Sequence, residues 1–201
     1  MKHESWGEAA AAVGVVLDAT QEARLDAYEL LLRDRAVPLG MIAQADLPRL
    51  RERHILDCLR AAALVGQAES AYDLGSGAGL PGIPLAIAAH ELHVVLVEAR
   101  RNRGAFLELA VDELGLRNVS VFVGHAEELV ERVDLVVARA FTDAPGCWRI
   151  AEPLLQPGGR LLYFAGTGFD PRSEAPDGVD LALFPAPTLA RSGPLAIMGR
   201  Q

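Results

Sequence analysis

Beyond residue 70 the apolar positions come in short unbroken runs, separated by stretches where they recur at intervals of three and four. Short runs rich in β-branched residues predict strands buried on both faces, and the wider spacing predicts amphipathic helices. Strand candidates are residues 71–74, 93–98, 119–123, 133–138 and 160–164, with helices at 83–89, 102–114 and 145–155 between them. Gly115 stops the second of these helices, and Gln156-Pro157-Gly158-Gly159 stops the third. Strands alternating with helices predict an α/β fold with a parallel, doubly wound sheet, whose ligand lies at the C-terminal ends of the strands. After Phe169 the chain is rich in Pro, Gly and Asp, and apolar runs at 179–184 and 195–198 predict a closing antiparallel pair.

Ahead of this alternation the period is helical throughout. Ala9, Val13, Val16 and Leu17 share one apolar face, and Leu25, Tyr28, Leu31 and Leu32 another. Asp18-Ala19-Thr20 separates the two helices, with Thr20 as the expected N-cap. A third helix starts near Asp46 and runs to Arg60, since Pro48 is tolerated in a first turn. On it Leu47, Leu50, His54 and Asp57 fall on one face, which predicts a His54–Asp57 pair within the helix. The expected organisation is an N-terminal helical cap over residues 1–66 and an α/β domain over 67–201.

The candidate chemistry sits in the turn Asp73-Leu74-Gly75-Ser76-Gly77-Ala78-Gly79-Leu80-Pro81-Gly82, between the first strand and its helix. Gly75, Gly77 and Gly79 let the main chain take positive φ and let a ligand approach it without meeting a Cβ. Counted from Gly75, a dinucleotide fingerprint wants a glycine at the place of Leu80, so Gly75-x-Gly77-x-Gly79 fits it poorly, and the Gly-Lys-Ser/Thr of a P-loop does not follow. Asp73 places a carboxylate at the strand end, which suits a ligand with a cationic amine such as S-adenosylmethionine. Glu98 closes the next strand at about the twenty-residue offset of an acid that takes ribose hydroxyls. Cofactor contacts are therefore expected at Asp73, Gly75, Gly77, Gly79, Leu80 and Glu98.

Composition narrows the setting. At 201 residues, 51% hydrophobic and 23% charged, the chain suits one globular domain with an appended segment. No apolar run approaches the roughly eighteen residues of a membrane span, and residues 1–5 lack a signal-peptide layout, so a cytoplasmic protein without a membrane partner is expected. Cys58 and Cys147 stand alone, which predicts free thiols and no metal site. A net charge of −8 argues against a surface that clamps nucleic acid over its whole extent, though not against a local basic patch. Lys2 is the only lysine, so other cations besides histidine are arginines, including the run Arg100, Arg101 and Arg103. That run is a solvated helix start or a set of phosphate contacts.

Four stretches together resemble the bacterial small-subunit ribosomal RNA methyltransferases that act on a guanine N7. They are Arg53-His54-Ile55-Leu56-Asp57, the turn from Asp73 to Ile87, Gly124-His125-Ala126-Glu127-Glu128, and Ala138-Arg139-Ala140-Phe141, within roughly residues 25–165. The resemblance implies a class I methyltransferase fold, S-adenosylmethionine as donor, and ribosomal RNA or the small ribosomal subunit as partner. It further implies Arg139 near the target base or its phosphate and Ala126-Glu127 against the adenine. Three places depart from the family pattern: Asp34-Arg35, Pro38-Leu39-Gly40 and Ala165-Gly166. They leave open a second acceptor, a ring nitrogen of a small heterocyclic metabolite; a third reading, from another class, is a non-catalytic nucleotide-binding or RNA-associated module that keeps the cofactor pocket.

Guanine N7 offers a lone pair and no proton, so methyl transfer to it needs positioning and a dry pocket rather than a strong base. A hydroxyl acceptor would need proton removal, with His54 as the candidate base. Catalytic roles are accordingly expected at Arg139 and His54, while Phe141 and Trp148 are candidates for stacking on a base.

Overall fold

The computed structural model describes residues 5–186, 189 and 192–200. Seven strands, β1 (Ser70–Leu74), β2 (His93–Glu98), β3 (Val119–Val123), β4 (Val133–Arg139), β5 (Leu155–Phe164), β6 (Val179–Phe184) and β7 (Leu195–Arg200), form one sheet. Their order is β3-β2-β1-β4-β5-β7-β6, with β1 to β5 parallel and β7 antiparallel to both neighbours. The chain winds outward through β2 and β3 and then returns to the other side of β1, so the order reverses between β1 and β4. A crevice opens there at the strands' C-terminal ends, where doubly wound sheets bind ligands.

All the strands read from the pattern are present. β5 differs most, beginning at Leu155 rather than 160. The expected turn Gln156-Pro157-Gly158-Gly159 is absorbed as an irregularity in the ladder, where Val133 pairs Leu155 but Leu135 pairs Arg160. The helices α4 (Gly82–Ala88), α5 (Arg101–Glu113) and α6 (Ala144–Ala151) alternate with the strands, and a short α7 (Pro171–Glu174) precedes the C-terminal hairpin. In β4, Leu135, Val136, Val137 and Ala138 are fully buried, and alternate residues feed different cores. Leu135 and Val137 join the helical cap and α4; Val136 and Ala138 pack with Cys147 and Ala151 of α6.

The N-terminal layer is helical, but not in the form its periodicity predicts. Helix α1 (Trp6–Ala11) stops early, the chain turns through Gly14 at φ 83°, and Val16 is left 90% exposed. Helix α2 (Ala19–Leu31) is capped by Asp18, not Thr20. Asp18 Oδ1 accepts from Gln21 N at 2.8 Å while Gln21 Oε1 accepts from Asp18 N at 2.8 Å, a reciprocal box that Thr20 stands too far into the helix to form. The same Gln21 donates through Nε2 to the carbonyls of Ile87 and Ala88, which the end of α4 would otherwise leave unpaired. The third predicted helix is one winding rod: 3-10 over Gln44–Arg49, π over Leu50–Leu56, α3 (Asp57–Leu59), then 3-10 over Arg60–Leu64.

Both cysteines are free and buried. Among the described residues no helix is long and apolar enough to cross a membrane. Tyr28 docks this layer on the crevice: it is fully buried, and its hydroxyl donates to Ala78 O at 2.8 Å within the glycine turn. Tyr28→Phe strands that carbonyl in an apolar environment and is expected to lower stability by about 1–3 kcal/mol. The urea midpoint measures it, and an unchanged midpoint would show that the contact does not dock the layer.

Candidate active site

β1 delivers the chain into the crevice at Leu74, and the turn that follows is tied to β2 by its main chain. Gly75 N and Ser76 N both donate to Val97 O, at 2.9 and 3.0 Å. Gly75 has φ 71°, and a Cβ there would stand 2.5 Å from the Phe141 ring. Lower down, Asp73 Oδ2 accepts from Gly82 N at 2.9 Å. A Cβ on Gly82 would meet that oxygen at 2.6 Å and also strike Leu96. The close-packing glycine of the turn is therefore residue 82, the third glycine of the spacing Gly77-x-Gly79-x-x-Gly82, which a count started at Gly75 passes over.

Asp73 is fully buried beneath the turn and lines neither cavity described below. Its Oδ1 has no hydrogen-bond partner. Burial pushes its carboxyl up to about 7, against the pull of the bonds from Ser76 and Gly82. Asp73 shapes the turn from below rather than facing the crevice.

Glu98 stands at the end of β2 with its carboxylate held at both oxygens by main chain. Oε2 accepts from Gly77 N at 3.0 Å and Oε1 from Arg100 N at 2.9 Å. It borders a cavity of about 350 Å³ together with Gly75, Ala126, Glu127, Phe141 and Arg103. Ala126 is buried in its wall; Glu127 is exposed on a 3-10 turn, Ala126–Glu128, that His125 N anchors by donating to Glu128 Oε1 at 2.8 Å. A carboxylate so oriented, with lone pairs to spare, can accept from a pair of ribose hydroxyls, and a glycine turn without side chains can lie flat against a ligand. The residues fit an S-adenosyl group.

A second cavity of about 210 Å³ adjoins the first, lined by Met41, Ile42, His54, Ser76, Leu80 and Arg139 among others. The two share Gly75, Arg103 and Ala140. Ala140 is the non-glycine residue with positive φ, 53°, among the described residues, a conformation that L side chains adopt at a cost and that clusters at functional sites. A larger hollow of about 690 Å³ lies apart, between Arg24, α5 and Arg117, and contains none of the predicted site residues.

Arg139 closes β4 and reaches into the second cavity, but its fork is committed to the cap. Nη1 donates to His54 O at 3.3 Å and Cys58 Sγ at 3.1 Å; Nη2 donates to Arg53 O at 3.1 Å and lies 3.4 Å from His54 Nδ1. Burial pushes the Cys58 thiol up to about 12, so it meets the guanidinium as a neutral acceptor. A guanidinium only donates, so His54 Nδ1 faces it unprotonated and Nε2 carries the proton. Nε2 points toward Asp46 Oδ2 at 3.4 Å without a well-aligned hydrogen bond. Burial, and then Arg139, pull the imidazole below its usual value and keep it neutral.

The expected His54–Asp57 pair does not form. The π turn over Leu50–Leu56 widens the helix and rotates the two residues apart. Asp57 binds Arg60 at 2.6 Å instead. Of the two aromatic candidates, Phe141 borders the first cavity, while Trp148, on α6, packs against the core and lines neither.

The family model described as GidB, rRNA small subunit methyltransferase G, matches residues 21–174. The chain belongs to the GidB family. Among curated GidB-type relatives, the Ribosomal RNA small subunit methyltransferase G of Thermobifida fusca is 43% identical over 141 residues, 69% of this chain and 60% of the relative. That of Mycolicibacterium vanbaalenii is 38% identical over 165 residues, 80% and 71% of the two chains. The chain thus spans about 60% of the length of the first of these relatives. A SAM dependent methyltransferase from Aquifex aeolicus shares the fold at TM-score 0.60 and 15% identity, covering 80% of this chain and 97% of that one. A mutant of MtNAS in complex with S-adenosylmethionine superposes at 0.59 and 17% identity, covering 90% and 76%. At such identities the likeness is one of fold, and it is the class I methyltransferase fold that the motifs implied.

The buried Asp73 has a consequence for stability. Its carboxyl keeps a proton up to about 7 in the folded chain but only to about 4 when unfolded. Folded protein binds the extra proton across that interval, so this contribution to stability is complete below it and is lost as pH rises through it. Asp73→Asn keeps an acceptor for Gly82 N and should flatten the dependence. Urea midpoints at about pH 5 and about pH 7.5 test this; identical pH slopes for the two proteins would show that Asp73 is not the group responsible.

Proposed function

We propose that this GidB-family chain transfers a methyl group from S-adenosylmethionine to a guanine ring nitrogen, N7, in small-subunit ribosomal RNA. One observation carries the reading. The cavity beside Glu98 and the cavity beside Arg139 meet over the glycine turn at Gly75 and Ala140, so a ligand lying along the turn reaches from one into the other. In this reading Glu98 takes the ribose, Gly75, Gly77 and Gly79 lie against the ligand's backbone, Leu80 borders the acceptor side, and Ala126-Glu127 flank the adenine. The names of the relatives support the acceptor.

When bound, the donor supplies a methyl group on a positively charged sulfur, ready for in-line displacement. The protein's part is to align an acceptor lone pair with it and keep water out. Met41, Ile42 and Leu80 provide apolar walls on the acceptor side. His54 is no free base here, because Nδ1 faces a guanidinium and Nε2 carries the proton; an acceptor without a proton to lose matches that state. Arg139 holds the wall that His54 and Arg53 belong to, and supplies positive potential at the acceptor. A ribosomal substrate places this work in the cytoplasm.

The test is methyl transfer from labelled S-adenosylmethionine to small ribosomal subunits purified from cells lacking this protein, run beside a small-molecule extract of its source. Label in ribosomal RNA, lost with Arg139→Ala, is the expected result. Label in the small-molecule fraction alone would overturn the acceptor in favour of a heterocyclic metabolite. No transfer to either, with donor binding intact, would favour a binding module.

For the donor side, Glu98→Ala removes an acceptor of charge-assisted bonds and is expected to weaken S-adenosylmethionine binding by about 10- to 100-fold in calorimetry. Unchanged affinity would remove Glu98 from the pocket.

A further inference from the structure

Arg103 is unlike the other cations of the crevice. It lies in the first turn of α5 and borders both cavities, whereas Arg100 borders only the one beside Glu98 and Arg139 only the other. Its Nη1 would stand 3.8 Å from a Cβ built on Gly77, so the guanidinium lies across the face of the glycine turn. The acid facing it is Glu98, at 3.8 Å, beyond hydrogen-bond length, and its side chain is 30% exposed. Glu98 already accepts one main-chain bond at each oxygen, from Gly77 N and Arg100 N, so it does not depend on Arg103 to be held in place. Arg103 therefore presents a fork of donors to the crevice where the two cavities join.

The donor assigned above carries an amino-acid end with an α-carboxylate, and a carboxylate entering a half-enclosed crevice needs a cation to offset lost hydration. Arg139 has spent its fork on two main-chain carbonyls, Cys58 and His54, and Arg100 stands on the ribose side. We propose that Arg103 receives the α-carboxylate of the donor's methionine end, in a forked pair lying over Gly77. This rests on the donor reading of the same site. The pairing would let one side chain report that an intact amino acid, and not merely an adenosine thioether, fills the turn. Planar fork and carboxylate match in shape, so lysine replaces Arg103 only in part.

Calorimetry with two probes, S-adenosylmethionine and its decarboxylated analogue, tests the proposal on wild type, Arg103→Ala and Arg103→Lys, with thermal melts confirming that each variant is folded. The expected result is that Arg103→Ala weakens S-adenosylmethionine by about 10- to 100-fold, changes the decarboxylated analogue by less than about threefold, and is partly rescued by Arg103→Lys. Equal weakening of both probes would overturn it, since Arg103 would then act through Glu98 or the turn. Unchanged donor affinity with a raised KM for the RNA would overturn it too, assigning the arginine to an acceptor phosphate. Failure of wild type to bind either probe would instead sink the donor reading and this proposal with it.

Discussion

Two buried or nearly buried carboxylates grip the turn after β1 by its amide groups, Asp73 through Gly82 N and Glu98 through Gly77 N. A loop of small residues has little side-chain surface with which to hold itself, and its conformational freedom is high. Fixing it by main-chain bonds leaves the outer face bare for a ligand, which side-chain packing would have covered. The arrangement is expensive in one respect, because Asp73 is sealed from water with an oxygen unpaired. Its raised affinity for a proton is the trace of that cost.

The second wall of the crevice is made by a different device. Arg139 ends β4, whose residues 135–138 are fully buried, and spends its donors on the carbonyls of Arg53 and His54 and on Cys58. The helical rod over Gln44–Leu64 is thereby pinned to β4, and Tyr28 pins α2 to the turn from the other side. The cavities beside Glu98 and Arg139 so share a boundary, which suits the methyl transfer by positioning proposed above.

Much of this was legible before any coordinates. Strands buried on both faces announce themselves as unbroken apolar runs, and the glycine turn with Glu98 one unit later marked the crevice. The misses share a cause: side-chain bonds and close contacts that periodicity does not encode. Thr20 looked like a cap, but Gln21 reaching back to Asp18 moved the start of α2. Leu50, His54 and Asp57 fit an α-helical face, yet the rod takes π geometry and His54 turns toward Asp46. Gly82 completes the spacing Gly77-x-Gly79-x-x-Gly82, which the count from Gly75 passed over, and its need to be glycine is seen where Asp73 and Leu96 crowd it. Asp73 was placed at the strand end correctly, but which way it faces follows from strand parity: it shares a side with Ala71, under the turn.

Ala140 closes the strand that Arg139 ends, and it does so with the chain bent into left-handed space. That bend aims Phe141 back across Gly75, so the roof of the crevice is set by the residue following its own wall. Sequence drift at this one position is therefore one-sided. Glycine would relax the bend, and asparagine or aspartate would tolerate it, while valine or isoleucine would straighten the chain and lift the roof away.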